Sequence, residues 1–134
     1  GIQVKFSKDF VPEMEAAFQG SLSACGWWVL NPEKMQNSSA ELWILAPYSF
    51  IEKRIQFIII EPEELSRILT SIHGNKRNTN VYLWVTKNER CFETRGLNKK
   101  IQNEIIEGNY SNVDIIRDFT GYLNCWKKIE DRLN

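Results

Sequence analysis

The residues that open the chain have the types and spacing that chemistry asks of a strand. Gln3, Lys5 and Ser7 alternate with Ile2, Val4 and Phe6. The polar set therefore shares one face and the apolar set the other, the period-two pattern of a half-buried β-strand. A lysine between apolar neighbours on such a strand has two readings. Either it sits on the polar face of an edge strand and meets water, as most charged side chains do, or a rigid strand holds it to bring positive charge to a reacting group.

Other chemistries have less to work with. Cys25, Cys91 and Cys125 are widely separated and form no CxxC pair, and His73 is the only histidine. Neither a zinc site nor a Cys/His or Ser/His/Asp nucleophile is expected, because each needs several such side chains to converge. The cysteines read as reduced, mostly buried thiols. Lys76-Arg77 carries the charge to contact phosphate, though a solvated loop also explains an exposed basic pair. Tyr82 and Trp84 share a strand face beside Lys87 and Arg90, an arrangement that suits base stacking next to phosphate contacts. A core hairpin accounts for the same aromatics, since large rings dominate buried area. Lys99-Lys100 and Lys127-Lys128 read as solvated pairs on polar helix faces.

The elements that position these residues follow from pattern. After the first strand and a turn at Lys8 to Phe10, Pro12 opens a helix with Met14, Ala17, Phe18 and Leu22 on its apolar face, ended by Cys25-Gly26. Trp27 to Leu30 reads as a short strand closed by Asn31-Pro32. This strand, helix, strand unit favours a parallel or mixed sheet. Pro32 to Ser39 is polar and loop-like. Leu42 to Ala46 and Arg54 to Ile60 are strands, and the wholly apolar Phe57 to Ile60 implies cover on both faces. Pro62 starts a helix with Leu65, Ile68, Leu69 and Ile72 as its buried stripe and His73-Gly74 at its end. Gly74 to Asn80 is a loop, Val81 to Thr86 and Cys91 to Thr94 form a hairpin, and a helix carries Leu97, Ile101 and Ile105 on one face. A last helix from Ser111 or Asn112 repeats Ile115, Phe119, Tyr122, Trp126, Ile129 and Leu133, a stripe that packs on this domain's sheet or on a partner. The whole reads as one α/β domain over residues 1–134, a mixed central sheet flanked by helices with a helical C-terminal segment.

Composition fits that reading. The chain has 134 residues, 43% hydrophobic and 25% charged, within the range of a globular domain. Lys+Arg and Asp+Glu are both 17, so any anion-binding face must come from local clustering and not from net charge. No apolar run approaches the ~18 residues of a spanning helix, and the N-terminus lacks a signal-peptide pattern. A cytoplasmic protein without membrane contact is expected. The chain lacks an initiator methionine and enters a strand at once, from which we expect further residues upstream of Gly1.

Gln3-Val4-Lys5, within Ile2-Gln3-Val4-Lys5-Phe6-Ser7 and followed by a helix, resembles the second half of the PD-(D/E)xK motif of restriction-endonuclease-like nucleases. The succession Trp43 to Ala46, Phe57 to Pro62 and the Glu63-Glu64-Leu65 helix start is similar to members in which a strand ending in proline precedes a helix. The resemblance covers roughly residues 1 to 72 in outline, and only the opening residues carry the chemistry. It implies a restriction-endonuclease-like fold and a Mg²⁺-dependent endonuclease cleaving DNA, with a second copy or another domain of the same protein as partner. Residues two apart on a strand point the same way, about 6.5 to 7 Å apart, so a metal ligand and a cation can face one phosphodiester. By resemblance Gln3 holds the metal-ligand position, Val4 offers its carbonyl, and Lys5 is the catalytic lysine. Ser7, Lys8, Lys76 and Arg77 become DNA contacts. Glutamine replaces the commoner carboxylate and supplies no charge. The family's first aspartate falls on the preceding strand, hence before Gly1, which implies either a truncated nuclease domain or an inactive relative retained for DNA binding or assembly.

Overall fold

Two sheets share one core, and the opening strand lies at the edge of the first. The structure is a computed structural model describing residues 1–7, 20–49 and 52–133. In order these form β1 (Ile2–Ser7), β2 (Leu22–Leu30), α1 (Pro32–Gln36), β3 (Leu42–Ser49), β4 (Arg54–Ile55), β5 (Ile58–Ile60), α2 (Pro62–His73), β6 (Thr79–Thr86), β7 (Cys91–Glu93) and α3 (Lys99–Ile106). Two 3-10 turns, Ile115–Arg117 and Thr120–Tyr122, and α4 (Lys127–Leu133) complete the described chain. The expected turn at Lys8 to Phe10, and the helix begun by Pro12 with Met14, Ala17 and Phe18, lie outside the described residues. Among the described residues no helix is long and apolar enough to cross a membrane.

The α/β class and the mixed sheet are both present, but the single central sheet becomes two. In the first, β1 runs parallel to β3, with Gln3 opposite Trp43 and Lys5 opposite Leu45. The far side of β3 pairs antiparallel with β5 and, beyond it, with β4. The second sheet is antiparallel, in the order β2-β6-β7. The parallel partner of β1 is therefore β3 and not the next strand in sequence, so the expected strand, helix, strand unit does not lie within one sheet.

Alternation along the strands explains how one core serves both sheets. Trp43, Leu45, Ile58 and Ile60 meet Trp28, Leu30, Val81, Leu83 and Val85, and Met35 of α1 with Leu65, Ile68 and Leu69 of α2 close the interior. The opposite face of the first sheet, Leu42, Ile44 and Ile59, is covered by Ile129 of α4 and Phe57. All three isoleucines of β5 are fully buried, as the doubly apolar run requires. The opposite face of the second sheet, with Leu22, Cys25, Trp84 and Phe92, is covered by Ile101 and Ile105 of α3 with Leu97, Tyr110 and Val113.

Several local expectations are corrected. Leu22 and Cys25 are strand residues, because β2 pairs with β6 from Leu22 onward. Gly26 continues the strand instead of ending a helix. A Cβ there would lie 2.2 Å from the Trp28 indole, so the missing side chain is what lets that ring fold back into the core. Pro32 to Gln36 is a helix, capped by the Asn31 side chain accepting from the Lys34 N–H at 3.0 Å, with Pro32 in its first turn. Its single turn is anchored by the buried Met35. Arg54 to Ile60 is broken at Gln56-Phe57, where the buried Gln56 amide donates to the Ser23 hydroxyl and the Asn124 side chain accepts from the Phe57 N–H.

The expected last helix is two 3-10 turns and one short helix, docked on this domain. Phe119 is fully buried in the shared core, Lys128 forms an ion pair with Glu61 at 3.0 Å, and Trp126 packs on Phe57. Phe119, Tyr122 and Ile129 of the stripe therefore pack on the domain's own sheets, while Ile115 is exposed. By contrast α2, its Gly74 terminus with φ of 84°, the β6–β7 hairpin and the helix carrying Ile101 and Ile105 form where the pattern places them, while Leu97 precedes the Asn98 cap of that helix instead of lying on it.

Candidate functional site

Strand β1 presents its two faces unequally. Ile2, Val4 and Phe6 lie on the side of the sheet that α4 covers over β3 and β5, but that cover stops short of β1. Phe6 is 67% exposed. Gln3, Lys5 and Ser7 lie on the side of the shared core, and there Lys5 and Ser7 are half-buried. The burial that alternation implies is thus reversed, because α4 reaches the central strands and not the edge.

Lys5 is held by its surroundings without being neutralised. Its ammonium lies 5.0 Å from the centroid of the Trp43 indole, and its carbonyl accepts from the Trp28 indole N–H at 3.2 Å. Among the described residues it forms no ion pair. The Trp43 indole is fixed in turn by donating to the Ser38 hydroxyl at 3.1 Å. An ammonium over an aromatic face keeps its charge and its remaining donors, so Lys5 is equipped to meet an anion.

The other expected residues of this strand have distinct surroundings. Gln3 is exposed, two positions before Lys5 on the same side. Val4 projects an exposed side chain to the opposite side. Ser7 is engaged in structure: its hydroxyl donates to the Trp27 carbonyl and accepts from the Trp27 N–H, both at 2.8 Å, tying β1 to β2 of the second sheet. Lys8 lies outside the described residues.

Lys76 and Arg77 flank a polar cleft of about 650 Å³ between α1, α2 and the loop after Gly74, with Asn31, Gln36 and Thr70 among its walls. A smaller recess of about 440 Å³ adjoins it, lined by Arg77, Lys34, Asn37 and Glu33. Among the described residues Lys34, Lys76 and Arg77 form no ion pair, and the one carboxylate in the cleft is Glu33. Asn37 precedes Ser38, the residue that holds the Trp43 indole beneath Lys5. One short segment thus joins the basic cleft to the Lys5 platform.

The remaining candidates divide. Trp84 is buried beneath α3, while Tyr82, two residues earlier on the same face, is half-exposed. Lys87 forms an ion pair with Glu52, and Arg90 pairs with Asp118 at 3.0 Å while lying over the Phe92 and Tyr110 rings. Burial pushes the Asp118 carboxyl up, but the Thr120 hydroxyl and N–H and the Arg90 guanidinium outweigh it and hold the group below its ordinary value. Burial, together with nearby carboxylates, raises the Cys91 thiol far above the usual range, which makes it inert.

One polar centre gave no sign in the pattern. Glu93 is fully buried. One of its oxygens accepts from the Arg117 guanidinium at 2.9 Å and faces His73 Nε2 at 3.0 Å. The other accepts from the backbone N–H groups of Tyr82 and Arg95. With four partners the carboxylate is saturated, and it joins α2, the hairpin and the first 3-10 turn.

Among the described residues no three His, Cys, Asp or Glu side chains converge into a metal-holding group. Mg²⁺ is ordinarily held through one or two carboxylates with waters, and the neutral Gln3 amide beside the Val4 carbonyl does not supply that. The described residues do not by themselves fit the ion that the nuclease resemblance implies.

Compared with family models, curated proteins and solved structures, the chain finds no match.

Proposed function

We propose that this chain is a restriction-endonuclease-like domain acting on DNA, with Lys5 the residue that faces the phosphodiester. The observation that supports this reading most is the state of Lys5. A strand residue is laid over an indole, kept half out of solvent and, among the described residues, left without a carboxylate partner, two positions after Gln3 on the same side of the strand. A cation so placed stabilises charge developing on a phosphate oxygen, and the surrounding rings cost it no neutralisation. Lys76 and Arg77, at the cleft joined to this platform through Asn37 and Ser38, would hold the flanking backbone by sequence-independent contacts.

Gln3 favours a second reading. A neutral amide in place of a carboxylate fits a nuclease-like domain that binds DNA without cutting it. Incubation of plasmid DNA with the protein in Mg²⁺ or Mn²⁺, beside Lys5→Ala, separates the two. Cleavage lost in the variant supports the first reading. Cleavage unchanged by it overturns the role given to Lys5. Binding at low salt without cleavage supports the second reading, and no binding at low salt overturns both.

A further inference from the structure

We infer that the cleft between α1, α2 and the loop after Gly74 is a binding site for a phosphomonoester, the group that ends a nucleic-acid strand and that a free nucleotide carries. The strand end as its source rests on the nucleic-acid reading above, and Lys5 has no part in it.

The walls of the cleft are held by contacts of their own. The single turn of α1 is fixed by its Asn31 cap and by the fully buried Met35. Ser66 of α2 fastens the two helices, its buried hydroxyl donating to the Pro32 carbonyl at 3.0 Å. The loop leaves α2 at a set point, where the Gly74 N–H donates to the Thr70 carbonyl at 2.9 Å. A preformed cleft of about 650 Å³ falls within the range of small-molecule sites, about 300–1,000 Å³. It has room for a nucleoside beside its phosphate.

The lining selects a polar anion. Among the described residues Pro32 is its one apolar member and no aromatic ring lines it, which favours neither an apolar ligand nor a stacked base. Lys76 borders the cleft, Lys34 borders the adjoining recess, and Arg77 lines both. None of the three forms an ion pair among the described residues, and Glu33 is the one carboxylate beside them, so two positive charges are left over. A phosphomonoester carries about −1.5 to −2 at neutral pH, whereas each phosphodiester of a continuous backbone carries a single charge. The Arg77 guanidinium suits such a group through its paired N–H donors. The Gln36 and Asn75 amides and the Thr70 hydroxyl offer neutral partners to a sugar.

A second observation lies beside the cleft. Thr79 is 2% exposed, and its hydroxyl has no hydrogen-bond partner among the described residues. It follows Arg77 by two residues and pairs with Leu30, the residue before Asn31. Both chain segments around it therefore run into the cleft wall. Buried hydroxyls are ordinarily answered, and a polar occupant of the cleft is the partner that this position offers.

The test is an anisotropy titration at low salt of internally labelled oligothymidylate with a phosphate at its 5′ end, at its 3′ end or at neither. Calorimetry with thymidine 5′-monophosphate and with thymidine runs beside it. The protein is compared with its Lys34→Ala, Arg77→Ala and Glu33→Gln variants, all at exposed positions, with thermal melting to confirm the fold. A phosphate at one end should tighten binding by roughly tenfold, the scale of one charge-assisted hydrogen bond, and the monophosphate should bind where thymidine does not. Lys34→Ala and Arg77→Ala should reduce that preference, and Glu33→Gln should increase it. The phosphorylated strand bound more tightly than the monophosphate identifies a strand end as the ligand; the reverse identifies a free nucleotide. Equal affinity for the three strands with no binding of the monophosphate overturns the inference. So does a phosphate preference that Lys34→Ala and Arg77→Ala leave unchanged, which would place the phosphate elsewhere. The two readings fail separately. Cleavage that depends on Lys5 without any phosphate preference removes only this site, and binding of the monophosphate without binding of DNA removes only the nuclease reading.

Discussion

The ammonium of Lys5 stands 5.0 Å from the centre of the Trp43 indole, and these two residues come from the adjacent parallel strands β1 and β3. Trp43 belongs to the shared core, so the core itself sets the position of the cation at the sheet edge. A charge supported from below by packing, and among the described residues not by a counter-ion, remains available to a ligand.

Lys5→Met tests that availability. The methionine keeps an unbranched apolar stem on Trp43 and loses only the charge. The fold should change in stability by about 1 kcal/mol or less, the scale of an exposed cation–π contact, while DNA binding at low salt weakens and any cleavage disappears. Thermal melting read beside the binding titration checks both. A large fall in stability would mean that Lys5 is a structural residue.

Replacing Lys76 and Arg77 together by alanine should weaken DNA binding by similar factors on unrelated sequences. The slope of log affinity against log salt should become shallower by about 1 for each phosphate contact removed. An unchanged slope would show that the cleft does not meet the backbone.

Glu93→Ala should be the most damaging of these changes. It removes the acceptor shared by Arg117, His73 and two backbone N–H groups, and leaves a guanidinium partly buried without its partner. Loss of one member of such a pair costs about 3–5 kcal/mol, readable from urea unfolding at neutral pH. A loss below about 1 kcal/mol would mean that water replaces the carboxylate.

Acid should expose the Asp118 and Arg90 pair. The folded carboxyl is held below its unfolded value of about 3.9, so between the two values the unfolded chain binds more protons and stability rises with pH. The contribution is complete above the unfolded value and is lost as pH falls through the folded one. Glu61 acts in the same direction: burial opposes it, but Lys128 and the group's own backbone N–H hold its carboxyl down. Asp118→Asn should flatten the acid limb in part, and adding Glu61→Gln should flatten it further, as followed by urea midpoints across that range. An unaltered limb in the double variant would place the acid sensitivity elsewhere.

Much of the local structure was legible. Pro62, the stripe through Leu65, Ile68 and Leu69, and Gly74 specify α2 because capping and periodicity act within one element. The hairpin and the doubly covered Ile58 to Ile60 follow likewise. Misreadings fell where distant residues decide. Leu22 and Cys25 fit a helical stripe until β6 claims them for a strand, and the 3-10 turns near Phe119 break a good helical period because that ring is drawn into the core. That Gln3 and Lys5 share one side of a strand follows from alternation alone, whereas Glu93, one acidic residue in a strand, gives no local sign that four donors will surround it.

The sequence by itself determined that Lys5 stands on a strand with Gln3 on the same side, and that Trp27 and Trp28 must face opposite ways. Both follow from the two-residue repeat of an extended chain. Only the tertiary structure decided that β1 pairs with β3, that Trp43 lies under Lys5, and that Trp28 is the buried tryptophan while Trp27 faces outward. Those outcomes depend on where α3 and α4 end and on Gly26 making room for an indole, and a repeat of period two is blind to which of its faces will be covered.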